Sequence, residues 1–323
     1  METLITHNSA VQYWRINGKS RKSLERPQRA RKAPSISPKV STLLKGDVFG
    51  LSFPLDVTVS TAGSRRTSSI FKSHVFAGQM PDRCLINIGE GFLVASPELC
   101  FFQMASELPF AKLIELGYEL CGTYSLPTGG LADEARKAGG GAIYNLEPLT
   151  SVKRLSAFVT QMSGRHGVKR AIQALQYIVD GSGSPMETIL SILLVLPYRL
   201  GGYGFTLPEM NRRIDPKAAA AKNPGKQFYK CDLLWKKHAV AVEYDSKLHH
   251  SEERNISVDS IKRGDLDLSG VYVITVTDKQ VYQVEELEKV ARRLASKMGR
   301  RIQIRYPKFS TRHSELRSLL LEQ

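Results

Sequence analysis

Gln227–His250 reads QFYKCDLLWKKHAVAVEYDSKLHH, and the rest of the chain is read outward from it. Phe228–Trp235 and Ala239–Tyr244 are rich in apolar, aromatic and β-branched residues, which predicts a β-hairpin. Lys236-Lys237 between them is a poor turn pair beside Asn-Gly. A loop of two or four residues sets Asp232 opposite Ala241, with Glu243 diagonal to it on the same face. The two-residue period of a strand adds Asp245 to that face and sends Val240, Val242 and Tyr244 to the other. Diagonal neighbours lie roughly 7–8 Å apart, a spacing at which Asp232 and Glu243 can share one metal ion. A three-residue loop would turn Glu243 away, so the inference depends on register.

Three carboxylates on a mostly apolar hairpin are costly unless a cation or hydrogen-bond donors compensate them. Oxygen-only donors suit Mg²⁺, and also Mn²⁺; Mg²⁺ commonly takes one or two protein carboxylates and keeps water or phosphate at its other positions. The plain alternative is a solvated acidic face on an exposed sheet.

Cys231-Asp232, Glu243-Tyr244-Asp245-Ser246, His249-His250, Asp259 and Arg263 occur in that order, followed by Gly270–Thr277 (GVYVITVT). This succession resembles the PD-(D/E)xK restriction-endonuclease-like superfamily, in its very-short-patch-repair-like branch. Ser184-Pro185-Met186-Glu187 matches that branch's glutamate on the helix before the hairpin. The resemblance runs from Ser184 towards the C-terminus and implies a metal-dependent DNA endonuclease that hydrolyses phosphodiester bonds. Asp232 and Glu243 would hold Mg²⁺ or Mn²⁺, with the Tyr244 backbone carbonyl as a further ligand. Ser246 stands where the branch has Gly, and Asp245 where the wider superfamily has its catalytic Lys. The general base is therefore left open among Asp245, His249 and His250, although adjacent histidines on a loop are more often surface residues. Arg263 would meet a site carboxylate or a phosphate. Glu187 alone reads as a first-turn acid complementing the helix dipole; the resemblance turns it towards the metal, holding a water or an imidazole.

The 323 residues suffice for two domains. A net charge of +15 favours polyanionic partners, nucleic acid ahead of an anionic membrane. No apolar run approaches a membrane span, Ile189–Pro197 being the longest, and no apolar segment follows the N-terminal charges. Cys84, Cys100, Cys121 and Cys231 lie far apart, as befits reduced thiols in a cytoplasmic protein. Gly139-Gly140-Gly141 lacks the Lys-Ser/Thr of a phosphate loop.

The expected fold is α/β (α+β) in two domains. Residues 1–45, with Arg21, Lys22, Arg26, Arg29, Arg31 and Lys32, form a basic, flexible arm, and 46–150 form a module of strands followed by two helices. Ser96-Pro97 opens the first helix and Pro109 separates it from the second. That module is loosely similar to the region after the winged helix in abortive-infection type IV antitoxin-like proteins. Residues 151–183 form a helical connector and 184–310 the restriction-endonuclease-like core, a mixed sheet flanked by helices. Its third meander strand comes from Phe205–Ile214, and 311–323 is a basic tail. The expected partners are duplex DNA, a second copy of the chain, and a protein held by the N-terminal module. Two other readings stand beside the nuclease: an inactive DNA-binding or antitoxin-like regulator built on the same core, and an RNA-processing nuclease.

Overall fold

A computed structural model describes residues 2–18, 26–27, 31–35, 38, 43, 48–128, 141–214, 228–245, 266 and 269–321. The chain divides into two compact units, Met1–Gln176 and Tyr177–Gln323.

The N-terminal unit is built on a mixed sheet of Thr3–Ile5 (β1), Arg26–Pro27 (β2), Leu55–Val59 (β3), Phe71–Val75 (β4), Leu85–Gly89 (β5) and Phe92–Ala95 (β6), ordered β2-β5-β6-β1-β3-β4. Strand β1 lies inside it, parallel to β6 and antiparallel to β3. Residues 3–17 are thus part of the folded unit and not of a basic arm. Leu4 and Ile5 are buried in the sheet, and the helix His7–Asn17 (α1) is anchored by the Trp14 indole N–H donating to the Ala95 carbonyl at 2.8 Å. Three strand residues are too few to display a period of two, so the cationic composition dominates the reading of this segment.

Ser96 and Pro97 start Pro97–Met104 (α2) as expected, the Ser96 hydroxyl accepting from the Leu99 amide at 3.3 Å. Phe110–Cys121 (α3) follows Pro109. Val152–Gln161 (α4) and Val168–Leu175 (α5), expected as a connector, pack on α2 and α3 and complete this unit.

The C-terminal unit begins with Pro185–Val195 (α6), where Ser184 accepts from the Glu187 amide at 3.2 Å. Almost every residue of α6 is buried, as its all-round apolar sequence requires. Glu209–Ile214 (β7), Tyr229–Trp235 (β8), Val240–Asp245 (β9) and Tyr272–Thr277 (β10) then form a sheet in the order β10-β9-β8-β7. The first three make an antiparallel meander and β10 runs parallel to β9. Leu266 is buried among Tyr229, Cys231, Leu234 and Ala241.

The hairpin connection has four residues, a 3₁₀ turn over Lys236–His238 and Ala239 in the left-handed region at φ +50°. Trp235 therefore faces Val240, and Leu234 faces Ala241. This corrects the expected pairing of Asp232 with Ala241: the same register, continued, sets Asp232 directly opposite Glu243. The slip is by two residues, so the acids keep their common face.

Asp278–Tyr282 (α7), Val284–Lys297 (α8) and Phe309–Leu321 (α9) complete the unit. Helix α9 replaces the expected basic tail, with His313, Leu316, Arg317 and Leu320 buried. His313 Nδ1–H donates to the Gly201 carbonyl at 2.7 Å. A Cβ on Gly201, whose φ is +88°, would lie 2.3 Å from the Arg312 carbonyl oxygen, so only glycine lets α9 approach so closely.

Candidate functional site

The candidate site lies where α6 meets the open end of the C-terminal sheet. Glu187 belongs to the first turn of α6 and is 9% exposed. Ser-x-x-Glu is a helix-start pattern, and part of its usual use is visible in the Ser184 cap. The glutamate, however, reaches one residue further back: the Gly183 amide donates to Glu187 Oε2 at 2.8 Å. Asn211 Nδ2 donates to the same oxygen at 2.6 Å and to the Gly181 carbonyl at 3.0 Å. Asn211 makes both bonds from a left-handed backbone, φ +48°, a region that asparagine tolerates better than most residues. A Cβ on Gly183 would sit 3.1 Å from both Glu187 Oε1 and Asn211 Nδ2, so the turn is fitted closely around the carboxylate.

Burial pushes the Glu187 carboxyl above the ordinary carboxylate range. The Gly183, Asn211 and Ser184 hydrogen bonds oppose that rise, and the Glu243 charge adds to it. Two acids on different elements are thus held near enough to feel each other.

Register places the remaining groups. Met210 pairs with Leu233 and Arg212 with Cys231, so Asn211 falls opposite Asp232. Asp232 falls opposite Glu243, and Glu243 pairs with Thr275. One row thus crosses the sheet through Asn211, Asp232, Glu243 and Thr275. Asp232 Oδ2 accepts from the Tyr244 backbone N–H at 2.8 Å, tying β8 to β9 where their ladder ends. Asp245 pairs with Thr277, and the Tyr244 hydroxyl donates to Asp278. Val240–Val242 are buried, whereas Glu243, Tyr244 and Asp245 are half-buried. The acids emerge at the carboxyl end of two parallel strands, where open α/β sheets commonly place their ligands.

The donors of this row are oxygens, which fits Mg²⁺ or Mn²⁺ and not the softer metals. Glu243 Oε1 is withdrawn from solvent, so a carboxylate there benefits from a cation. The row does not gather three carboxylates on one point. Among the described residues, the one group of three or more His, Cys, Asp or Glu with ligand atoms mutually within 4.8 Å is His7, His74 and Glu107, in the other unit. The arrangement suits a pair of protein carboxylates, Asp232 and Glu243, the usual protein share of a Mg²⁺ ion.

His249, His250, Asp259 and Arg263 lie outside the described residues. Arg212 pairs with Glu209 at 3.1 Å, and the Arg213 guanidinium lies 4.1 Å from the centre of the Phe228 ring. Asn211 and Gly183 were not singled out by the sequence. The available signal was Asn211 itself, a residue strands disfavour, standing between Met210 and Arg212.

No helix among the described residues is long and apolar enough to cross a membrane. No family model matches the chain, nor does any curated protein or solved structure.

Proposed function

We propose that the C-terminal unit is a metal-dependent phosphodiesterase acting on duplex DNA. The observation that carries this reading is the row formed by Asn211, Asp232 and Glu243 beside the buried Glu187. It lies beside a helix, on a three-strand meander with a parallel fourth strand, which is compatible with the mixed sheet flanked by helices that the resemblance implies. Asp232 and Glu243 are the residues that would hold Mg²⁺ or Mn²⁺, with the Tyr244 carbonyl as a further donor. When bound, such an ion acidifies a water and neutralises charge on the phosphate.

The protein groups have separate tasks. Asp232, bonded to the Tyr244 amide, fixes β9 so that Glu243 and Asp245 share one face. Asp245, at the strand end, is placed to orient or deprotonate the attacking water; His249 and His250 stand beside it in sequence as further candidates. Glu187 sits at the inner wall, where its raised pKa suits holding a proton or a water. Arg263 is the candidate for balancing charge on the phosphate.

The direct test is Mg²⁺-dependent cleavage of a supercoiled plasmid. Asp232→Ala and Glu243→Ala are expected to abolish cleavage while leaving the melting temperature near that of the wild type. Undiminished cleavage by either variant contradicts the assignment.

One observation favours a second reading. Asp232 is already committed to a backbone amide, and three carboxylates do not converge. An inactive nuclease core serving as a DNA-binding regulator would keep such geometry. It binds duplex with a steep salt dependence and cleaves nothing.

A further inference from the structure

The end of the C-terminal sheet remote from the acids is cationic. The acids emerge at Glu243 and Asp245, whereas Val240 pairs with Tyr272 at the amino ends of β9 and β10. There the Tyr272 amide donates to the Ala239 carbonyl at 2.8 Å, which brings the hairpin connection against β10. Lys236, Lys237 and His238 of that connection are exposed. Helix α8 brings two more cations to the same tyrosine. Arg293 Nε donates to the Tyr272 hydroxyl oxygen at 3.0 Å, Nη2 donates to the same oxygen, and Lys297 Nζ lies 3.9 Å from the centre of the ring.

Elsewhere on the C-terminal helices, Lys289, Arg292 and Arg312 each pair with an acid one turn away. Lys236, Lys237, Arg293 and Lys297 make no ion pair among the described residues. A cation in the last turn of a helix complements its dipole, which accounts for Lys297 and not for the others. Like charges gathered from two elements repel one another, and a polyanion offsets that repulsion while releasing its own counterions. We propose that Lys236, Lys237, Arg293 and Lys297 form a docking surface for the phosphate backbone of duplex DNA, separate from the carboxylate row.

Duplex backbone is the polyanion that the geometry fits. Tyr272 is taken up by Arg293 and Lys297, so it offers no open platform on which an unpaired base could stack. The same contacts hold both cations in place, which lowers the cost of ordering them on a ligand. Arg293 keeps N–H donors beyond those given to Tyr272, and phosphate oxygens can accept them. The six residues of β9 span roughly 17 Å, so a phosphate held here is remote from the acids. The surface needs neither metal nor cleavage and serves both readings of the carboxylate row.

The test is fluorescence anisotropy of a labelled short duplex, titrated with the full-length protein in EDTA over a series of KCl concentrations. The wild type is expected to bind, the logarithm of its affinity falling linearly with that of the salt concentration. Lys236→Gln/Lys237→Gln/Arg293→Gln/Lys297→Gln, which alters exposed side chains alone, makes that slope shallower by about 3–4 and weakens binding about tenfold or more. Its melting temperature stays near that of the wild type. The control Lys289→Gln/Arg292→Gln/Arg312→Gln removes paired cations of the same unit and changes the slope by less than about 1. Asp232→Ala/Glu243→Ala binds at least as tightly as the wild type, so failure of this surface and failure of the carboxylate site are told apart. Absence of duplex binding by the wild type, or a slope in the quadruple variant no shallower than in the control, overturns the proposal. Binding to phosphatidylserine vesicles with none to duplex overturns it likewise.

Discussion

Glu187 carries two donors on a single oxygen, and burial still makes it harder to ionise than a free glutamate. Its folded-state pKa lies above the unfolded value of 4.5. The folded protein therefore holds this proton more tightly than the unfolded chain does. The stability so gained is complete below the unfolded pKa and is lost as pH rises through the folded one. Glu187→Gln keeps an oxygen for both donors and removes the titration. Its melting temperature is expected to match the wild type at about pH 4 and to exceed it increasingly towards about pH 8. A difference that stays flat with pH would show that Glu187 is ionised at no cost in the fold. The common face of Asp232 and Glu243 was legible in the sequence because a strand's period of two is fixed by backbone geometry. Asn211 was not, because its function depends on a left-handed backbone and on a partner 24 residues away. The cationic end of the sheet was still less legible: Lys236 and Lys297 lie on different elements, and no local spacing unites them.

At the scale of elements, helix starts with a strong local signature came out where expected. Ser96-Pro97 and Ser184-Pro185 both cap through the serine hydroxyl, since Ser at the cap and Pro at the first position act within one turn. The hairpin was legible as two strands, while its exact pairing was not. Lys236-Lys237 is no turn signal, and the left-handed Ala239 that lengthens the loop has no marker in its side chain. The ends of the chain misled for a common reason. Strand β1 is a three-residue buried run at the head of a basic segment, helix α9 is rich in polar and basic residues, and both are fixed by tertiary contacts, β1 between two strands and α9 against Gly201. That contact makes a sharp prediction. Gly201→Ala places a methyl carbon 2.3 Å from a backbone oxygen of α9 and strains a φ of +88°. We expect a loss of about 3 kcal/mol or more in urea unfolding, since overpacking and left-handed strain add. A loss below about 1 kcal/mol would mean that α9 docks elsewhere.

At the scale of the whole molecule, the two units present different side-chain chemistry. The N-terminal unit offers imidazoles beside a cavity, and the C-terminal unit offers carboxylates at a sheet end. The net charge of +15 favours a polyanionic partner. Several cations of the C-terminal helices are paired with acids one turn away. Lys289 meets Glu286 at 2.6 Å, Arg292 meets Glu288 at 2.5 Å and Arg312 meets Glu315 at 2.8 Å. Such exposed pairs add little to stability and leave local charge nearly balanced, so these paired cations are not an obvious phosphate track. Net charge alone thus points to a class of partner and not to a surface; the proposed reaction rests on the carboxylate row.

The central claim is that Asp232 and Glu243 hold one hard cation between them. It is tested most directly by titrating Mg²⁺ calorimetrically into the wild type, Asp232→Ala and Glu243→Ala, each with a short non-cleavable duplex. The account predicts one Mg²⁺ site in the wild type, lost in both variants while their melting temperatures hold. The same Mg²⁺ site in all three proteins, or none in the wild type, would contradict it.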